Sequence, residues 1–206
     1  MPRRPVPGTP VPGTPVPGTP VPGTPVPLYV RAAVPADLPR LAALRAEAAA
    51  WIALEHGSAQ WSAPYDPERG LTLIARGATV VAALAPQGEA VATVTLRPTG
   101  SPRLWSGEEL ARPARYVSSF TVDRRYAGRG IGARLGDWAA WRAARAGAGL
   151  LRANVWSDNA ALHAYYRAQG WRWVRTVAHS RSGALFERVT SAVAPPWVHE
   201  AGRVRA

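Results

Sequence analysis

The chain has 206 residues, enough for one domain of ordinary size with tails, and carries a formal net charge of +12 at pH 7. It contains no cysteine, which excludes disulfides, thiolate zinc sites and a cysteine nucleophile. All 25 basic residues are arginine, so neither a phosphate-loop lysine nor Schiff-base chemistry is available.

The arginines are scattered among Ala and Trp rather than run together. With abundant Ala, Gly, Pro and Val, this reads as the residue usage of a GC-rich genome and not as a nucleic-acid footprint. Part of the charge suits an anionic cofactor. No apolar run approaches the ~18–20 residues of a membrane span. Arg3 and Arg4 have no apolar stretch behind them, so a cytoplasmic protein without a membrane partner is expected.

Residues 1–27 read as a disordered tail. Pro5-Val6-Pro7-Gly8-Thr9 recurs from Pro10, Pro15 and Pro20, and 11 of the 21 prolines precede Leu28. Such a repeat favours polyproline II and turns and builds no core. A globular domain is expected over 28–190, and a flexible tail over 191–206.

Within the domain, Leu28 to Ala32 predicts a strand. Asp37 opens a helix with apolar positions Leu38, Leu41, Leu44, Ala48, Trp51 and Ile52 at helical spacing, ended by Gly57. A short helix over 68–75 follows a loop bearing Trp61, Tyr65 and Asp66. Strands over 79–85 and 90–97 flank a Gly-containing hairpin loop. Residues 98–113 read as a loop, and 116–122 as a strand.

The stretch Val122-Asp123-Arg124-Arg125-Tyr126-Ala127-Gly128-Arg129-Gly130-Ile131-Gly132-Ala133-Arg134 then reads as strand end, glycine turn and helix start. Three glycines at alternate positions let successive N–H groups face one anion at the positive end of a helix dipole. Arg124, Arg125, Arg129 and Arg134 add charge, so a pyrophosphate-bearing cofactor is the first expectation. Three readings compete: a plain turn with solvated arginines, a dinucleotide fold and an acyl-CoA site. Gly128-x-Gly130-x-x-Ala133 fits the dinucleotide fingerprint formally, but five residues separate it from Val122. No acid lies about 20 residues on to hold a ribose.

After a helix over 131–146 and a strand over 150–155, Asn159-Ala160-Ala161-Leu162-His163-Ala164-Tyr165-Tyr166-Arg167-Ala168-Gln169-Gly170-Trp171 reads as a capped helix. Leu162, Tyr165 and Tyr166 share one face. Strands over 171–178 and 184–189 close the domain. The order of elements mixes an antiparallel first half with a parallel crossover.

In order, and each behind a strand, these two motifs resemble those of the GCN5-related N-acetyltransferases (GNAT). The resemblance covers 28–189 in element order and is specific from Tyr116 to Trp171. It implies an α/β (α+β) fold: a mixed, mostly antiparallel sheet with a splayed parallel strand pair and flanking helices. It implies acetyl-CoA as acyl donor and direct attack by the amine of a small acceptor. Phe120, Thr121 and Val122 would pair with the pantetheine arm. Gly128, Arg129, Gly130, Ile131, Gly132 and Ala133 would hold the pyrophosphate. Asn159 would bond the CoA chain, and Tyr166 would protonate the leaving thiolate. No metal is expected, and a homodimer is compatible with the family.

The sequence departs from the pattern twice. Ala127 stands where the cofactor motif has Arg or Gln, and Asn154 stands where the branch acetylating ribosomal-protein N-termini has a glutamate base. Glu55, His56, Glu108 and Glu109 are candidate bases. Trp61, Tyr65 and Trp105 are expected to border the acceptor pocket, which suggests a partly apolar or cationic acceptor. A non-catalytic acyl-CoA-binding module is the alternative, and a nucleic-acid-binding module a more distant one.

Overall fold

The computed structural model describes residues 27–202. The expected proline repeat lies outside them except for Pro27. Eight strands form one sheet in the order β6-β7-β5-β4-β3-β2-β1-β8. They are β1 (Leu28–Ala32), β2 (Thr79–Ala83), β3 (Ala92–Arg97), β4 (Ala114–Val122), β5 (Leu150–Val155), β6 (Arg172–Thr176), β7 (Ala184–Val189) and β8 (Val198–Glu200). The helices are α1 (Leu38–His56), α2 (Pro67–Ala75), α3 (Gly107–Ala111), α4 (Ile131–Arg145) and α5 (Ala160–Ala168). Strands β4 and β5 run parallel, as do β1 and β8, and the other neighbours are antiparallel.

Strand alternation sorts side chains between two helical layers. Val80, Ala82, Ala92, Val94, Val117, Leu151 and Phe186 face α4, where Ile131, Leu135 and Trp138 complete the main core. Leu162 and Tyr166 of α5 pack on the same core. On the other face Val81 meets Leu41 of α1 and Ile74 of α2. Leu135 and Trp138 are fully buried, which gives the crossover helix a fixed seat.

The parallel pairing of β4 with β5 runs only from Ala114–Leu150 to Val117–Ala153. Beyond it β4 keeps β3 as partner, while β5 keeps β7. The two strands therefore splay, as the family resemblance implied. The register of β3 against β4 shifts between Thr93 and Thr95, and Ser119 takes a left-handed φ of 49°. This is a bulge, which bends β4 at the mouth of the split.

Two local expectations need correction. The loop expected over 98–113 contains α3, whose capping box joins Ser106 and Glu109. Residues 198–200, expected in the flexible tail, form β8 along the open edge of β1, and the Ala201 N–H donates to the Val30 carbonyl at 2.8 Å. A strand of three residues carries too little periodicity to be read from sequence. Its Glu200 accepts a 3.0 Å bond from Nε1 of the fully buried Trp138. Replacing Glu200 with Leu leaves that buried N–H unpaired, so stability falls by about 1–3 kcal/mol in urea denaturation.

Candidate active site

A cleft of about 940 Å³ enters between the two helical layers and follows the split between β4 and β5. Its size is that of a ligand site.

At one end lies the glycine turn. Asp123 ends β4 with its N–H on the Val91 carbonyl at 2.8 Å, then caps a short 3-10 turn over Arg124–Tyr126. Its carboxylate is almost fully buried and accepts from the Arg125 N–H at 2.8 Å, the Arg125 guanidinium at 2.7 Å and Arg40 of α1. Arg125, seconded by Arg40, holds the Asp123 carboxyl down to about 2 against the opposing effect of burial. The residue thus ties the sheet, α1 and the turn together.

Beyond that anchor the backbone turns left-handed at Gly128 (φ 76°) and Gly130 (φ 70°), where open space surrounds both. Gly130 offers α4 no side-chain cap, and the first intrahelical bond is Arg134 N–H to the Gly130 carbonyl. Among the described residues, the N–H groups of Gly128, Gly130, Ile131, Gly132 and Ala133 have no acceptor. Unpaired amides at the positive end of a 15-residue helix form an anion cradle, so the residues fit a pyrophosphate. A Cβ at Gly132 would lie 2.5 Å from the Tyr165 hydroxyl, so a side chain there displaces the half-exposed Tyr165.

Across the split, Asn159 caps α5 by accepting from the Leu162 N–H at 2.9 Å and donates to Gln60 at 3.3 Å. Tyr166 packs its ring against Trp171 (5.1 Å) and Phe186 (5.4 Å). Among the described residues its hydroxyl has no hydrogen-bond partner, although it lines the cleft. Burial pushes the phenol well above its ordinary value, with Tyr165 adding to the effect, so it stays protonated through the physiological range.

The structure gathers Phe120, Thr121, Val122, Gly128, Gly130, Ile131, Gly132, Ala133, Asn159 and Tyr166 on one cleft. Arg129 stands outside it, exposed, with its guanidinium 5.4 Å from the Tyr126 ring. Of the candidate bases, His56 lines the cleft, and Glu55 and Glu108 are exposed away from it. Glu109 is engaged: Arg175 bonds it through both guanidinium arms, and the Ser106 N–H donates to it at 2.7 Å. Arg175 holds its carboxyl down to about 2, which leaves a weak base. Trp61 and Tyr65 line the cleft as expected, whereas Trp105 is core and donates from Nε1 to Asn154 at 2.9 Å. Asp123, Arg45 and Arg97 were not singled out in the sequence. For Asp123 the signal was present: an acid at a strand end, directly before a turn with glycines.

The sequence profile of the Acetyltransferase (GNAT) family matches residues 45–171, and the chain belongs to that family. It is accordingly an N-acetyltransferase, an acyltransferase whose acyl donor is acetyl-CoA. No curated protein sequence matches the chain. Solved structures resemble it in fold. A GNAT acetyltransferase from Listeria monocytogenes is 21% identical with a TM-score of 0.65, covering 79% of this chain and 94% of that one. The PaiA N-acetyltransferase from Thermoplasma acidophilum, solved with coenzyme A, is 17% identical with a TM-score of 0.61, covering 79% and 98%. A ribosomal-protein-alanine N-acetyltransferase from Brucella melitensis is 21% identical with a TM-score of 0.55, covering 78% and 98%.

The lowered Asp123 pKa sets the sign of an acid dependence. A depressed carboxyl stabilises the fold above its ordinary value of 3.8, and that stability is lost as pH falls toward about 2. Asp123→Asn therefore lowers stability by about 2 kcal/mol at pH 7. The deficit shrinks toward zero at pH 2, as urea midpoints measured across that range will report.

Proposed function

We propose that the chain moves the acetyl group of acetyl-CoA to the amine of a small acceptor by direct attack, with Tyr166 as general acid. One observation carries the reading: a free, protonated Tyr166 hydroxyl and the unpaired amides of Gly128, Gly130, Ile131, Gly132 and Ala133 share one cleft along the β4–β5 split.

The amides of Gly128, Gly130, Ile131, Gly132 and Ala133 hold the pyrophosphate of the donor, while the Arg129 N–H is already engaged by the Tyr126 carbonyl. Beyond Val117, β4 has no ladder partner on its β5 side, so Phe120, Thr121 and Val122 can pair with an extended, amide-bearing arm. Asn159 adds the remaining N–H of its side-chain amide, its oxygen being engaged in the α5 cap. Tyr166 gives its phenolic proton to the departing sulfur. The raised phenol carries its proton at working pH, and because a phenolate is more basic than a thiolate it regains a proton from the nitrogen that has formed the amide bond. Holding donor and amine side by side supplies a further share of the acceleration.

Calorimetric titration of the full chain with acetyl-CoA should show one site, with no comparable binding of NAD or ATP. Tyr166→Phe lowers kcat by about 10²–10⁴-fold in a thiol-release assay, with little change in acetyl-CoA affinity. Because the phenol is raised above its ordinary ~10, the wild-type rate shows no alkaline limb from Tyr166 below that pH. Binding without thiol release for any amine would favour the non-catalytic module instead.

A further inference from the structure

The acetyltransferase reading leaves the other end of the cleft unexplained. There β3 presents Thr93, Thr95 and Arg97, alternate residues of one strand face, and all three line the cleft. Arg97 stands in register with Tyr116 of β4, six residues before Val122. At ~3.3 Å per residue that is roughly 20 Å along the strand from the start of the phosphate turn. Arg45 of α1 and Arg69 of α2 line the same end, with Trp61 and Tyr65.

No ion pair neutralises this cluster. Among the described residues no carboxylate pairs with Arg45, Arg69 or Arg97. The Nε atoms of Arg45 and Arg97 are buried and lack any hydrogen-bond partner. Arg45 makes a single 3.4 Å bond to the Ala63 carbonyl and lies 5.5 Å from the Trp61 ring. Of the two carboxylates on the cleft wall, Asp123 is taken by Arg40 and Arg125, and the exposed Asp66 accepts the Arg69 backbone N–H at 3.0 Å without an ion pair to any of the three guanidinium groups. Burial, reinforced by the charge of Arg69, lowers the Arg45 and Arg97 pKa values from the ordinary arginine value. Arg45 and Arg97 are partly buried and Arg69 is exposed, and a guanidinium whose Nε is held out of water without a partner gains by meeting an anion. A planar guanidinium matches a carboxylate in two-pronged geometry.

We propose that Arg45, Arg69 and Arg97 form an anion-recognition end of the acceptor pocket, so that the amine acetylated is a small molecule also carrying a carboxylate, of the amino-acid class. The inference rests on the acetyltransferase reading above. It replaces the cationic acceptor that the aromatic loop residues suggested, because a cationic molecule would meet three like charges.

The test uses the full chain at saturating acetyl-CoA. Thiol release is compared for L-amino acids, their α-amides and their decarboxylated amines. The acids should be better substrates by about tenfold or more in kcat/KM. Arg97→Gln should lower kcat/KM for acids by about 10–100-fold, chiefly through KM, the value of one charge-assisted hydrogen bond. It should spare the amides and the acetyl-CoA affinity. Arg69→Gln, at an exposed position where folding is not at risk, should act in the same direction.

Equal turnover of acids and amides would overturn the proposal. So would a loss of acetyl-CoA affinity in Arg97→Gln, which would assign the cluster to the donor. Acetyl-CoA binding without thiol release from any amine would sink the catalytic reading alone. The anion site is then decided by thermal stabilisation with N-acetyl-L-amino acids against their methylamides. Stabilisation lost in Arg97→Gln supports it, and no preference for the acid overturns it.

Discussion

Everything in this molecule depends on one unmade set of hydrogen bonds, those between the C-terminal half of β4 and β5. Pairing stops at Val117–Ala153, and beyond it β4 keeps only β3, through Val122, and β5 only β7, through Val155. The bulge at Ser119 turns β4 away. A sheet interior with free backbone groups would be unstable if it were dry and sealed. Here it opens into a cleft, and both helices that follow the splayed strands begin beside it. Binding at such a divergence of strands obeys the same logic as ligand binding at the switch point of parallel sheets.

The arginines divide by partnership. Arg31, Arg40, Arg125, Arg172, Arg175 and Arg188 each meet a carboxylate, and those pairs fasten helices and turns to the sheet. With 13 acidic residues against 25 basic ones, cations outnumber acids by 12. What matters is where the unmatched ones fall. On an open surface they are solvated and inert. Those on the cleft wall are the ones we propose meet an anion.

Asp123 and Glu109 show why a carboxylate near a site need not be a base. Each is held in its charged form by guanidinium contacts, and each holds a loop in place through its backbone bonds. Tyr166 has the opposite surroundings. Rings of Trp171 and Phe186 flank it, no charge stabilises its anion, and its proton is retained. Role follows surroundings more than residue type.

Features decided by near neighbours were legible in the sequence. The glycines of the phosphate turn, the Asn159 cap, the Gly57 stop and the strands at 150–155 and 184–189 all rest on local backbone preference or on periodicity. Those signals, with the order of elements, carried the family, and they named the residues we propose for the donor site. Only the tertiary structure decided the rest. Trp105 became core because α3 folds over Tyr116, Glu109 was claimed by an arginine 66 residues away, and β8 formed because the edge of β1 was open. Arg45, Arg69 and Arg97 belong to three separate elements, and no local pattern announces that they converge. Local hydrogen bonding writes itself into short stretches of sequence. Burial and counter-charge are set by whatever packing brings together.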